Sequence, residues 1–230
     1  MGALRDLSVS QQVGLLFVAL FGALALTTVV AFIVTLREGS ESDLQKREGF
    51  GRDLRAVWVA SVLFWSAWAA GPLVSTLLFG VISFIALREL ITLTHTRRAD
   101  HRSLLLAFFI ILPVQYLLVA QRHFDLFSVF IPVYVFLAIP VVSAFGNDPQ
   151  RFLERTAKIQ WGIMVCVYGI SHTPALLLLD LPGYSGRGAF LVIYLVAVVA
   201  TAQIAQESAS RQLRRRPVAR AISRSFSWRG

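Results

Sequence analysis

The sequence predicts an all-α fold, a polytopic integral membrane helical bundle of about seven transmembrane helices, and three observations carry that prediction. Hydrophobic residues make up 56% of the chain and charged ones only 15%, and the mean hydropathy is positive, a balance suited to lipid rather than water as solvent. Charged residues divide the chain into six uncharged blocks, five of them close to the ~20 residues that one bilayer crossing needs. Basic residues concentrate on alternate connections, as the positive-inside rule describes.

The first block, residues 13 to 36, contains Ala23-Leu24-Ala25, small residues of the kind found at signal-peptide cleavage sites. Its length exceeds the 7–15 residues of a signal h-region and fits a retained span. Residues 37 to 55 hold five basic and five acidic side chains and read as a solvated connector. The block from 56 to 87 is 32 residues long, which as one helix at ~1.5 Å per residue would reach roughly 48 Å, against a hydrocarbon core of about 30 Å. Gly71-Pro72 lies at its middle, where glycine permits a turn and proline suits the first position of a new helix. The block therefore divides into spans 56–70 and 73–87. Blocks 103–121, 126–147, 159–179 and 188–206 supply one span each, followed by a basic tail, 211–230.

With two crossings between 56 and 87, 19 of the 22 lysines and arginines fall on one side and 3 on the other; with one crossing the split is 15 to 7. The sharper asymmetry favours two crossings, an outside N-terminus and a cytoplasmic C-terminus. Halves of about 15 residues leave a re-entrant pair as the competing picture.

Several classes of chemistry find no residues here. Cys166 is the only cysteine, so there is no intrachain disulfide and no thiolate metal site. His95, His101 and His123 lack zinc-ligand spacing, and there is no phosphate-binding Walker loop, nucleophile elbow or HExxH. The seven arginines beyond the last apolar run speak of membrane orientation rather than nucleic acid.

Four groups of polar residues remain as candidates. Asn147-Asp148-Pro149 reads as a helix start. Continuing that helix places Arg151, Arg155 and Lys158 at i, i+4 and i+7 on one face, a stripe suited to the phosphate of an anionic head group or a nucleotide, or simply an anchor beside Trp161. Arg88-Glu89 is a charge pair at the inner membrane boundary, facing water or contacting substrate. His172 and Ser171 lie deep in a span, where polar groups need partners, and Pro174 frees a carbonyl that either can serve. Gln203, Gln206 and Glu207 fall on one side of the last span as a polar lining.

Several stretches together resemble bacterial phosphatidate cytidylyltransferase, the CDP-diacylglycerol synthase. They are VISFIALRELITLTHTRRADHR (81–102), IPVYVFLAIPVV (131–142), RFLERTAKIQWGIMVCVYGISHTPALLLLDLPGY (151–184) and RPVARAISRSFSWRG (216–230). The resemblance implies a membrane enzyme that makes CDP-diacylglycerol and pyrophosphate from CTP and phosphatidate, with Mg2+ as cofactor. It places the chain in a bacterial inner (plasma) membrane and implies vestigial substrate contact at Ser223, Ser225 and Ser227 of the loop, while Arg151, Arg155 and Lys158 of the basic stripe remain the candidates for phosphate contact.

The chain departs from the family's pattern where the chemistry is concentrated. An aspartate of the pattern is Gln203 here. The family's loop Ser-Pro-Ser-Lys-Thr-Trp-Glu-Gly becomes Ser223-Arg224-Ser225-Phe226-Ser227-Trp228-Arg229-Gly230, with Phe226 for the lysine and Arg229 for the glutamate. The family's later signature, with Lys-Asp and Asp-Arg, has no counterpart, and after Asp180 the only acid is Glu207. Magnesium held by carboxylates is the expected way to gather so many phosphate charges. These departures imply a C-terminally truncated, degenerate relative that binds phosphatidate or another anionic lipid without catalysis, as a homo-oligomer or beside a complementing membrane subunit. The retained serines imply the alternative, an active transferase. A transporter ranks third, since buried ionisable residues are few.

Overall fold

The computed structural model of the chain describes residues 8–35, 41–94, 96–183 and 185–213. All regular structure among them is helical, in seven successive rods: α1 (Val9–Thr35), α2 (Glu41–Ala69) and α3 (Pro72–Thr92), then α4 (Arg98–Ala120), α5 (Phe124–Ala144) and α6 (Phe152–Leu178), and α7 (Gly188–Leu213). Five helices are long and apolar enough to cross a membrane, and α2 and α7 contribute shorter apolar stretches, Leu54–Ala69 and Gly188–Ala202. The chain is a helical membrane protein.

The long apolar block is broken where the sequence places the break. Gly71 takes φ +88, a left-handed conformation that suits glycine, and Pro72 opens α3 with its fixed φ and no orphan N–H. Upstream, the structure corrects one expectation: the connector before residue 56 is not a loop throughout, because α2 already begins at Glu41. Its Glu, Gln, Lys and Arg residues are strong helix formers, so charge ends the apolar run without ending the helix.

The main core lies between α3, α4, α5 and α6, where Leu87, Ile111, Ile131, Ile139, Ile163 and Val167 are buried. A second cluster joins Val13 and Phe17 of α1 to Phe64 and Trp68 of α2 and Ala189 of α7. Gly162 lets α6 approach α3 closely, since a Cβ there would lie 2.9 Å from Leu90 Cδ2.

Helices α4, α5 and α6 each contain a π-helical turn, at Ala107–Ile111, Phe130–Val135 and Ile163–Gly169. In hydrocarbon, every carbonyl that such turns or prolines release needs another donor. Pro132 cannot bond Ser128 O, and the Tyr168 hydroxyl donates to it instead at 3.1 Å. Pro140 cannot bond Phe136 O, and Gln160 Nε2 takes that place at 2.7 Å. Gln115 Nε2 donates to Phe127 O and to Ser171 Oγ at 3.5 and 3.3 Å. Side chains of α4 and α6 thus repair the backbone of α5 and fix how the three helices sit together. His172 Nδ1 and Ser171 Oγ both donate to Tyr168 O, at 2.7 and 2.8 Å, so they serve the π turn and not the Ile170 carbonyl that Pro174 releases.

One end of the bundle gathers the C-termini of α3 and α5 with the N-termini of α4 and α6, which brings residues 97–100 beside residues 148–155. The opposite end carries the α2–α3 break and an exposed bridge from Arg122 to Asp180, 3.3 Å.

Candidate functional site

The charged end is built around one buried arginine. Arg155, in the first turn of α6, is 6% exposed, and Asp100, at the start of α4, is 2% exposed. Desolvation makes either charge costly alone, so each needs the other and further hydrogen bonds. Arg155 Nε donates to Asp100 Oδ1 at 3.0 Å, Nη1 to Asp148 Oδ2 at 2.8 Å and to Gln150 O at 2.6 Å, and Nη2 to Asp148 O at 3.0 Å. Asp100 Oδ2 also accepts the Arg97 backbone N–H at 2.9 Å, closing a cap on the helix start. Arg97 Nη1 reaches Asp148 Oδ2 at 3.2 Å and Gln150 Oε1 at 2.9 Å.

This clamp holds an unusual loop. Asn147 and Arg151 take φ 53 and 50, left-handed conformations that asparagine tolerates and that cost a residue such as arginine roughly 1–2 kcal/mol. Three of the four Arg155 bonds end on residues 148 and 150, between the two left-handed positions. Gly146 permits the close approach on the other side, since a Cβ there would lie 2.6 Å from Ala99 O, and Arg102 Nη1 adds a 3.3 Å bond to Phe145 O. The Gln150 backbone N–H at 3.0 Å, then Arg97 and Arg155, hold the Asp148 carboxyl below its ordinary value.

The predicted basic stripe takes a different form. Helix α6 starts at Phe152, three residues after the predicted Asn147-Asp148-Pro149 start, because Arg151 adopts the left-handed region. Arg151 therefore precedes the helix, with its side chain 77% exposed and 3.9 Å from Glu154. Lys158 is partly exposed and bonds Glu154 at 2.6 Å. Arg155 turns inward. The structure thus separates two outward cations from one inward clamp. Arg88 and Glu89 are both exposed on α3. Ser223, Ser225 and Ser227 lie outside the described residues, as do the side chains of Gln203 and Glu207; Gln206 is partly buried on α7.

Sequence reasoning missed Arg97, Asp100, Asp148 and Gln150 as one cluster. A partial signal existed: Asp100 and Asp148 are acids placed just outside the apolar blocks, at the same end as Arg155.

Among the described residues, no three His, Cys, Asp or Glu side chains converge to hold a metal ion. Asp100 and Asp148 are both engaged by Arg155, so a divalent cation held by them would have to displace guanidinium nitrogen.

Comparison with known proteins bears on the whole arrangement. Residues 51–230, which include the charged end, match the cytidylyltransferase family. The chain is 33% identical over 208 residues to "Uncharacterized protein YnbB" of Escherichia coli (strain K12), an alignment that takes in 89% of this chain and 65% of that protein. The chain therefore spans just under two thirds of that relative's length. No solved structure matches it. On the extent of the family match, the chain belongs to the cytidylyltransferase family.

Proposed function

We propose that this chain serves phospholipid synthesis by transferring the cytidylyl group of CTP to phosphatidate, forming CDP-diacylglycerol and pyrophosphate. The observation that supports this most is the unbroken family match over residues 51–230, through the helices, the charged end and the basic tail. In the reaction a phosphatidate oxygen attacks the α-phosphorus of CTP, the bond to the bridging oxygen of the β-phosphate breaks, and pyrophosphate leaves. Arg151, exposed, and Lys158, partly exposed, flank Glu154 at the charged end and are the proposed phosphate contacts. Arg155 acts one step back, keeping the loop that presents Arg151 in its strained shape. When bound, magnesium would supply neutralisation of the phosphate charges in such chemistry. Ser223, Ser225 and Ser227 remain candidates for substrate contact. On this reading the charged end and tail face the cytoplasm of a bacterial cell.

A second reading, a non-catalytic relative that binds phosphatidate or partners another membrane protein, is favoured by Gln203, Phe226 and Arg229 at positions where the family's pattern has Asp, Lys and Glu. The two readings separate in one experiment. Membranes containing the protein, given CTP, magnesium and phosphatidate, form CDP-diacylglycerol above the rate of empty membranes if the first holds. A rate equal to empty membranes, with phosphatidate binding retained, supports the second.

A further inference from the structure

We propose that the groove between α3 and α4 is a binding site for one anionic phospholipid, with an acyl chain lying in the groove and the phosphate resting on Arg88. The inference needs only that the chain spans a membrane; it does not depend on cytidylyl transfer. The groove encloses about 500 Å³. Leu73, Leu77, Val81 and Phe84 form its α3 wall, and they are 69%, 62%, 56% and 40% exposed, so none of the described helices covers them. Phe108 and Tyr116 line the α4 wall. The walls are tied together: the Ser83 and Tyr116 hydroxyls hydrogen-bond, and the Phe84 and Phe108 rings meet edge to face at 5.2 Å. Gly80 faces the Tyr116 ring across the groove, where a Cβ would lie 3.6 Å from it in ordinary contact, so a larger side chain there would extend into the space.

What fills this space follows from the residue that ends the stripe. Arg88 is one helical turn beyond Phe84 on the same face, it is exposed, and its Cα–Cβ bond tilts toward the helix N-terminus, back over the groove. Glu89 lies about 100° further round the helix, off the stripe. From Arg88 to Leu73 the helix rises roughly 22 Å, within the ~30 Å hydrocarbon core. An apolar trough crowned at one end by a cation complements an amphiphile with an apolar tail and a negative head. A neutral phospholipid matches only the trough, and a free phosphate only the arginine.

The test uses the full chain, purified in detergent and incubated with equal dioleoyl phosphatidylglycerol and dioleoyl phosphatidylcholine, with retained lipid counted by native mass spectrometry. The parent prefers phosphatidylglycerol, which is not the substrate proposed above, by about fivefold, the factor that one interfacial arginine gives toward an anionic lipid. Arg88→Ala removes that preference while still retaining lipid, and Arg122→Ala, at the opposite end, leaves it unchanged. Gly80→Leu and, as a second filler, Val81→Phe reduce retention of both lipids. Glycerol 3-phosphate in excess does not displace the bound lipid. A preference that survives Arg88→Ala, an equal loss in Arg122→Ala, fillers that fold yet retain lipid as the parent does, or displacement by glycerol 3-phosphate overturns the proposal. None of these readouts involves CTP, so the proposed transfer stands or falls separately.

Discussion

Replacing Arg155 with alanine tests the charged end at its centre. The change strips Asp100, 2% exposed, and Asp148 of a charged partner and leaves the carbonyls of Gln150 and Asp148 without a donor. Removing one member of a buried ion pair costs about 3–5 kcal/mol, because the remaining charge stays buried and uncompensated. Asp100 keeps its bond to the Arg97 N–H, so the lower figure, about 3 kcal/mol, applies. Against a total stability of roughly 5–15 kcal/mol, and at about 2–4 °C per kcal/mol for a chain of this size, the melting midpoint falls by roughly 6–12 °C. Cys166 provides the assay, being buried in α6 and the only cysteine, so reaction with a thiol-reactive dye during heating reports unfolding. The double variant Asp100→Ala, Arg155→Ala removes both charges and loses less than the single variants Asp100→Ala and Arg155→Ala together, by at least about 1 kcal/mol. A midpoint for Arg155→Ala within 2 °C of the parent, or strict additivity in the double variant, refutes the reasoning.

Other predictions probe the bundle and its pH dependence. Gln160→Leu orphans Phe136 O and lowers stability by about 0.6–1.7 kcal/mol in the same dye assay; Pro140→Ala, by restoring the missing donor, reduces that loss. Gly162→Val drives branched atoms against Leu87 and Leu90 and costs about 1–3 kcal/mol, whereas Gly162→Ala meets only flexible side-chain ends and costs less. Asp148 has its carboxyl held below the ordinary 3.8, first by the Gln150 backbone N–H and then by Arg97 and Arg155. A carboxyl depressed in the folded state stabilises above the unfolded value and ceases to do so as pH falls through the folded one. The melting midpoint should thus drop below about pH 4 in the parent and drop less steeply in Asp148→Asn; parallel profiles contradict this.

How far the sequence carries the account depends on whether a feature is local. The Gly71-Pro72 break is visible because two adjacent residues impose it. Helical membrane architecture is visible because the apolar blocks are long and cannot be mistaken for strands. Helix ends are less legible, since α2 runs back through a charged stretch to Glu41 and α6 starts late behind Arg151. The π turns leave no compositional mark, and the donors that repair them come from other helices: Gln160 and Phe136 are 24 residues apart, and Tyr168 and Ser128 are 40 apart. The same limit hid the charged cluster. Arg155 and Asp100 are separated by 55 residues, so the i, i+4, i+7 spacing describes Arg155 well as a member of a helix and poorly as a surface cation. Burial, which spacing does not specify, turned it from an outward phosphate contact into a clamp.

The most direct measurement of the functional claim is cytidylyl transfer by the purified chain alone, reconstituted in phosphatidate liposomes free of host enzymes and supplied with radiolabelled CTP and magnesium. The account predicts labelled CDP-diacylglycerol with one pyrophosphate released per lipid product, weakened when Arg151 and Lys158 are both replaced by alanine. Liposomes that bind the protein and phosphatidate yet form no liponucleotide contradict it.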